Sequence, residues 1–193
     1  MNIRILVASL LLIANSPTIL ASSLKLVPSA GTVAQNGTFT VDLVLNASDL
    51  LGIPHPNLYG GSVIVDFNKT LLTYGGFTLK SGLSFFSAPA TATSGNTQTV
   101  TFGFDNAPDM GTVGTFSFTA IGGPGSLASL GLIDADDFSG SFASYNPGYK
   151  RFTPAFTGTQ VNISAVPLPA GVWLLGTAVG ALAARRRFRH AVA

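Results

Sequence analysis

Through the middle of the chain, apolar and polar residues alternate one for one. In TFTVDLVL, Phe39, Val41, Leu43 and Leu45 fall on one side, with Thr38, Thr40 and Asp42 opposite. SVIVDF groups Val63, Val65 and Phe67, and TVTFGF groups Val100, Phe102 and Phe104. GTFSFTA sets Phe116, Phe118 and Ala120 against Thr115, Ser117 and Thr119, and GTQVNI closes the series with Val161 and Ile163. Successive side chains of an extended strand point to opposite faces. A period of two therefore predicts half-buried antiparallel strands that bury these residues. GIPHPNLYGG, SGNT and GGPG lie between the runs and supply turns. No stretch of the body carries the 3.6-residue period of a long amphipathic helix, so the pattern predicts an all-β antiparallel sandwich.

The pattern changes at both ends. MNIRILVASLLLIANSPTILASS places Arg4 before an apolar run, Ile5 to Ala14, and then small and turn-forming residues. That order predicts a secretory signal over 1–21, cut after Ala21. At the other end, Ala170 to Ala184 is apolar and uncharged, and RRRFR follows directly. Those fifteen residues would make a helix of about 22 Å at ~1.5 Å per residue, short of a ~30 Å hydrocarbon core. Snorkelling by Arg185, Arg186, Arg187 and Arg189, with Trp173 at the opposite interface, would make up the difference. The positive-inside tendency keeps those arginines cytoplasmic and the body outside. Pro167 and Pro169 flank Leu168 and hold the preceding segment extended, a shape open to a protease. The expected organisation is a signal over 1–21, a sandwich over 22–164 and a tail over 165–193 with a membrane helix over 170–184.

Val166-Pro167-Leu168-Pro169-Ala170, the Trp-containing apolar helix and the terminal Arg cluster, in that order, resemble the PEP-CTERM class of sorting signals in the variant that reads VPLPA. The resemblance implies that an exosortase, a membrane-embedded cysteine protease of Gram-negative bacteria, recognises the proline motif and removes the helix. It also implies a place beside extracellular polysaccharide, in biofilm or floc. Leu168 stands where the namesake motif has Glu, which fits the variant and leaves open which processing enzyme reads it. The tail is thus expected to be a tag, in the membrane only in transit; a plain single-pass anchor is the alternative.

The body carries a second resemblance. GTFTVDLVLNAS followed by LYGGSVIVDFNKTLLTYGGF resembles the opening of cohesin domains, and FGFDNAPDMGTVGTFSFTA, SLASLGLIDADDFSG and TGTQVNI fall where cohesins carry their later segments. This implies a cohesin-like jelly-roll or Greek-key sandwich. Cohesins pair with dockerins in cellulase assemblies, and related sandwiches bind carbohydrate or serve as surface modules. Partner-contacting positions do not match one to one, so no residue role is carried over.

Charge narrows the partners. Of ten basic residues in the 193-residue chain, five (Arg4, Arg185, Arg186, Arg187, Arg189) lie in the terminal segments. Between Ser22 and Ala165 five bases stand against eight aspartates, a net −3. Such a body lacks the clustered cations that nucleic acid requires. The absence of cysteine removes disulfides, thiolate nucleophiles and thiolate metal sites.

Candidate chemistry is sparse. Asp134, Asp136 and Asp137 in DADDFSG are the candidate calcium ligands, because clustered carboxylates suit a hard cation. A solvated acidic turn is the competing reading, since Ser139 replaces the sharp-turn Gly and no Glu closes the loop. Asp105 and Asp109 read as turn residues. His55, alone in the body, lacks partners for a zinc site. No nucleophile elbow accompanies the Ser, His and Asp residues, and the chain has no Glu for glycoside hydrolysis, so an enzyme is not expected. Phe85 and Phe86, with Tyr59 and Tyr74 in loops, are candidates for stacking on sugars or partner surfaces. The expected role is structural or adhesive in the extracellular matrix. The alternative is a module binding polysaccharide or a dockerin-like protein, with calcium assistance.

Overall fold

The alternating segments are strands, and each buries the side that its apolar residues mark. The computed structural model describes residues 22–47, 59–108, 110–135, 142–144, 150–166 and 177. In chain order the strands begin with β1 (Ser23–Pro28), β2 (Thr32–Ala34), β3 (Thr38–Asn46), β4 (Tyr59–Asn68), β5 (Leu72–Leu79), β6 (Ser84–Ser94) and β7 (Thr97–Ala107). They continue with β8 (Met110–Ala120), β9 (Leu127–Asp134), β10 (Phe142–Ser144), β11 (Lys150–Phe152), β12 (Ala155–Thr157) and β13 (Thr159–Ser164).

Two sheets form. The first runs β12-β1-β3-β8-β5. In the second, β4 is central: β7 and then β6 lie on one side, and β9, β13 and β2 on the other. The β10–β11 hairpin pairs with the start of β4 at Tyr59 and Gly60, ahead of β9, which takes Val63 to Phe67.

The inner faces meet in an aromatic core. Phe39, Val41, Leu43 and Leu45 of β3 and Phe116, Phe118 and Ala120 of β8 are buried from the first sheet. Val63, Val65 and Phe67 of β4, with Val100, Phe102 and Phe104 of β7, are buried from the second. Phe118 joins the layers, its ring 5.1 Å from Phe67 edge-on and 5.8 Å from both Phe39 and Tyr74. Each fully buried Phe contributes about 1.5–3 kcal/mol relative to exposure, which accounts for a stable core without cysteine.

Three residues lie in strands where the sequence suggests loops or turns. Tyr59 opens β4, is buried and stands edge-on to Phe152 at 5.8 Å. The following glycines read as a turn. In the fold, Gly61 is covered by the Phe142 ring, which leaves no room for a Cβ. Tyr74 sits in β5 against Phe67 and Phe118. Its alternation is hidden by an irregularity at Gly75–Gly76, where Gly76 takes φ +138°. Burial raises its phenol above the ordinary value of 10.0. Asp105 belongs to β7, opposite Ser84, and its Oδ1 accepts a 2.8 Å hydrogen bond from the Asn106 N–H. Asn106 has φ 65°, and the β4–β7 register shifts here, so a bulge continues the strand where a turn was expected.

The terminal strands share an unusual course. β1 and β12 pair in parallel in the first sheet, and β2 and β13 pair in parallel in the second. The chain crosses between sheets after Pro28 and again at Gly158, so the two crossings run side by side. Ser23 lies level with Ala155, and Ala34 with Ser164, so the chain enters at one end of the sandwich and leaves at the other.

Thr177 is helical, and no helix among the described residues is long and apolar enough to cross a membrane. Ala21, His55, Asp109, Asp136, Asp137, the motif residues Pro167, Leu168, Pro169 and Ala170, and the cluster Arg185, Arg186, Arg187 and Arg189 lie outside the described residues.

Candidate docking face

On the outer side of the second sheet the alternation fails, and it fails towards apolar residues. Val63, Ile64 and Val65 are consecutive in β4, so Ile64 points outward where a polar residue is expected. Leu132 and Ile133 do the same in β9, leaving Ile133 52% exposed. The register sets Ile64 opposite Ile133 on one side and opposite Thr101 of β7 on the other, with Ala90 of β6 beyond Thr101. At ~4.8 Å between strands, the row Ile133–Ile64–Thr101–Ala90 spans about 14 Å.

Phe86 extends this row. β6 pairs irregularly with β7 on both sides of Ser87. Phe85 consequently turns inward, 6.1 Å from the Phe77 ring and 6.2 Å from Phe102. Phe86 turns outward and lies across Gly103, where any Cβ would meet its ring, and it remains 63% exposed. Leu127, at the other end of β9, is 48% exposed. Of the four aromatics proposed from sequence for stacking, Phe86 alone stands mostly in water.

Across β9, β4, β7 and β6 the charge is one-sided, and the exposed Arg151 stands apart on β11 of the same sheet. Asp66 lies over Gly131, and Asp105 is at the β7 bulge. Ser62 Oγ donates to the Phe102 carbonyl at 3.3 Å, and Gln160 Nε2 donates to Ser129 Oγ at 3.2 Å. No Lys or Arg occupies the outward positions of β9, β4, β7 or β6. The opposite outer face differs: Thr38, Thr40, Ser117 and Thr119 line it beside Lys25, and Thr115 Oγ1 donates to Asp42 Oδ1 at 2.7 Å. That side is mostly polar, with Val27 of β1, 40% exposed, the apolar exception. The face of the second sheet carries an apolar strip rimmed by carboxylates, suited to exclude water against a complementary surface.

Asp134 is the last residue of β9, opposite Val63. Its two expected calcium partners, Asp136 and Asp137, lie outside the described residues, among which no group of three His or acidic side chains could hold a metal ion. Val166 follows β13 and is 54% exposed. Ile64 and Ile133 are functional candidates that strict alternation overlooks. Their signal is the short continuous apolar run, in VIV and in LI, inside strands with one face already buried.

No family model matches the chain, and no curated protein matches it. Solved structures do. The fold is similar to the seventh ScaB type I cohesin from Pseudobacteroides cellulosolvens, with TM-score 0.55 and 13% identity over 76% of this chain and 96% of that one. A type II cohesin domain from the cellulosome of Acetivibrio cellulolyticus gives TM-score 0.52 and 11% identity over 74% and 95% of the two chains. The sixth cohesin of scaffoldin B from Acetivibrio cellulolyticus, solved in complex with a Cel5 dockerin, gives 0.50 and 16% over 75% and 99%. These likenesses establish a cohesin-like β-sandwich.

Proposed function

We propose that this chain is an exported binding module that holds a partner protein on the outer face of its second sheet. The observation that carries the reading is the row Ile133–Ile64–Thr101–Ala90, with Phe86 beside it, on four strands that carry no Lys or Arg. An Ile left half in water forgoes about 1 kcal/mol that burial against a partner would return. The carboxylates of Asp66 and Asp105 select for a partner with Lys or Arg around an apolar centre. A dockerin-like protein is the class suggested by the solved cohesin–dockerin complex. A polysaccharide fits less well, because sugar rings stack on several aromatics and this face offers one.

The tail supplies location in this reading. The signal ending at Ala21 exports the sandwich, and an exosortase reads Val166 to Ala170 and removes the helix with its arginines. The matrix role is then attachment through protein: the module links a partner to the envelope or the extracellular matrix.

Two measurements test this. Ile133→Asp is expected to weaken retention of the partner roughly tenfold or more, whereas Thr40→Asp on the opposite outer face leaves it unchanged. Equal retention by both variants, or retention of polysaccharide in place of protein, overturns the docking face. Mass spectrometry of the mature carboxy terminus is expected to find no peptide containing Trp173. Its survival in mature molecules overturns the sorting reading and leaves the docking face untouched.

A further inference from the structure

Among the described residues, the sandwich leaves one long strand edge open. Sheet edges invite pairing with other chains, and proteins guard them with short strands, charges, bulges or proline. Here β2 and β12 are three residues each, and β11 is equally short and carries Lys150 and Arg151. β5 is broken by the irregularity at Gly75–Gly76. β6 is different: it spans eleven residues, pairs among the described residues only with β7, and lies in a stretch, 81–104, without a charged residue.

Its guards are confined to one half. Pro89 and both register irregularities fall before Ala90. From Ala90 to Ser94 the pairing with Thr101 to Thr97 is regular, and a two-residue turn at Gly95–Asn96, with Gly95 at φ +58°, closes the hairpin. Residues flanking such a turn exchange both backbone bonds, and the pattern then alternates. Ala90, Ala92 and Ser94 therefore bond to β7, while Thr91 and Thr93 aim their N–H and C=O groups out of the sheet.

The open segment is also nearly palindromic. Read backwards, Ala-Thr-Ala-Thr-Ser becomes Ser-Thr-Ala-Thr-Ala. We propose that Ala90–Ser94 of β6 pairs antiparallel with the same segment of a second copy of this chain, about a twofold axis through Ala92, so that two second sheets become one. Thr91 of each copy then lies opposite Thr93 of the other, which satisfies all four outward backbone groups on each side. Ala92 meets Ala92 at the narrow, non-hydrogen-bonded position, where small side chains fit. Pro89 ends the pairing on one side and the Gly95–Asn96 turn on the other. The interface shares only Ala90 with the docking row, and it would set two such faces side by side on one continuous sheet.

The absence of cysteine gives a direct test in the full chain. Ala92→Cys puts one thiol on the axis, at a Cα separation of about 4.5 Å from its twin, within disulfide range. Oxidation of the exported protein with copper phenanthroline is expected to yield a disulfide dimer on a non-reducing gel. Ala90→Cys sets the thiols four residues apart, about 13 Å, and is expected to yield roughly tenfold less. Adding Thr93→Pro to Ala92→Cys removes an outward N–H at an edge position that tolerates proline; it is expected to cut the dimer about tenfold while the melting temperature of the sandwich holds. Absence of the dimer, equal yields at positions 90 and 92, or indifference to Thr93→Pro overturns the proposal.

Discussion

Phe118→Ala is expected to destabilise the sandwich by about 3–5 kcal/mol, a large part of the stability of a domain this size. Phe118 is fully buried and contacts four rings: Phe39, Phe67, Tyr74 and Phe116. With Tyr74, which also faces Phe67, it brings the first sheet against β4. Truncation forfeits the transfer free energy and leaves a cavity that cannot collapse, because the surrounding rings belong to strands fixed by their own ladders. Phe118→Leu fills most of the space and is expected to cost less than half as much. Denaturant unfolding monitored through backbone circular dichroism gives both values. A loss under about 1 kcal/mol for the alanine variant would mean that the sheets do not meet at this ring.

Gly158→Ala is expected to cost about 2–3 kcal/mol, the upper end for overpacking. Gly158 stands where the chain leaves the first sheet for the second, between β12 and β13. A Cβ there would strike the Leu130 carbonyl oxygen and come within 3.3 Å of the Gly131 Cα. Both obstacles are backbone atoms of β9, the strand that pairs with β13, so relief requires breaking the ladder that holds the last strand. Gly131→Ala makes the contrast. Its Cβ would meet the Asp66 carboxylate, the end of a side chain that can rotate away, so its cost is expected to be the smaller. Thermal midpoints of the two variants decide the matter, and equal losses would contradict the backbone origin of the effect.

The sequence reveals the central strands because each has one dry face and one wet face. That condition produces a period of two, and β3, β4, β7, β8 and β13 bury the residues their alternation marks. Elsewhere the condition fails for identifiable reasons. β6 has water on most of both faces, so Ala90 to Ser94 carries no apolar period. β2 and β12 are too short to show one. In β5 the glycine irregularity places Tyr74 and Phe77 out of simple alternation while both pack on the core. The candidate docking face escapes for the opposite reason. Ile64 and Ile133 look like more core until the register shows that Val63, Val65 and Leu132 have already taken the inward positions. Which face of a strand is spare is a property of the pairing, and only three-dimensional neighbours disclose it.

The parallel course of the first and last strands has a mechanical consequence. Because the chain enters beside Ala155 and leaves beside Ala34, tension between its two ends drags β1 along β12 and β2 along β13. The hydrogen bonds of both pairs then bear the load together, in shear, and cannot be peeled one at a time. A sandwich built this way resists traction most strongly along the line joining Ser23 and Ser164.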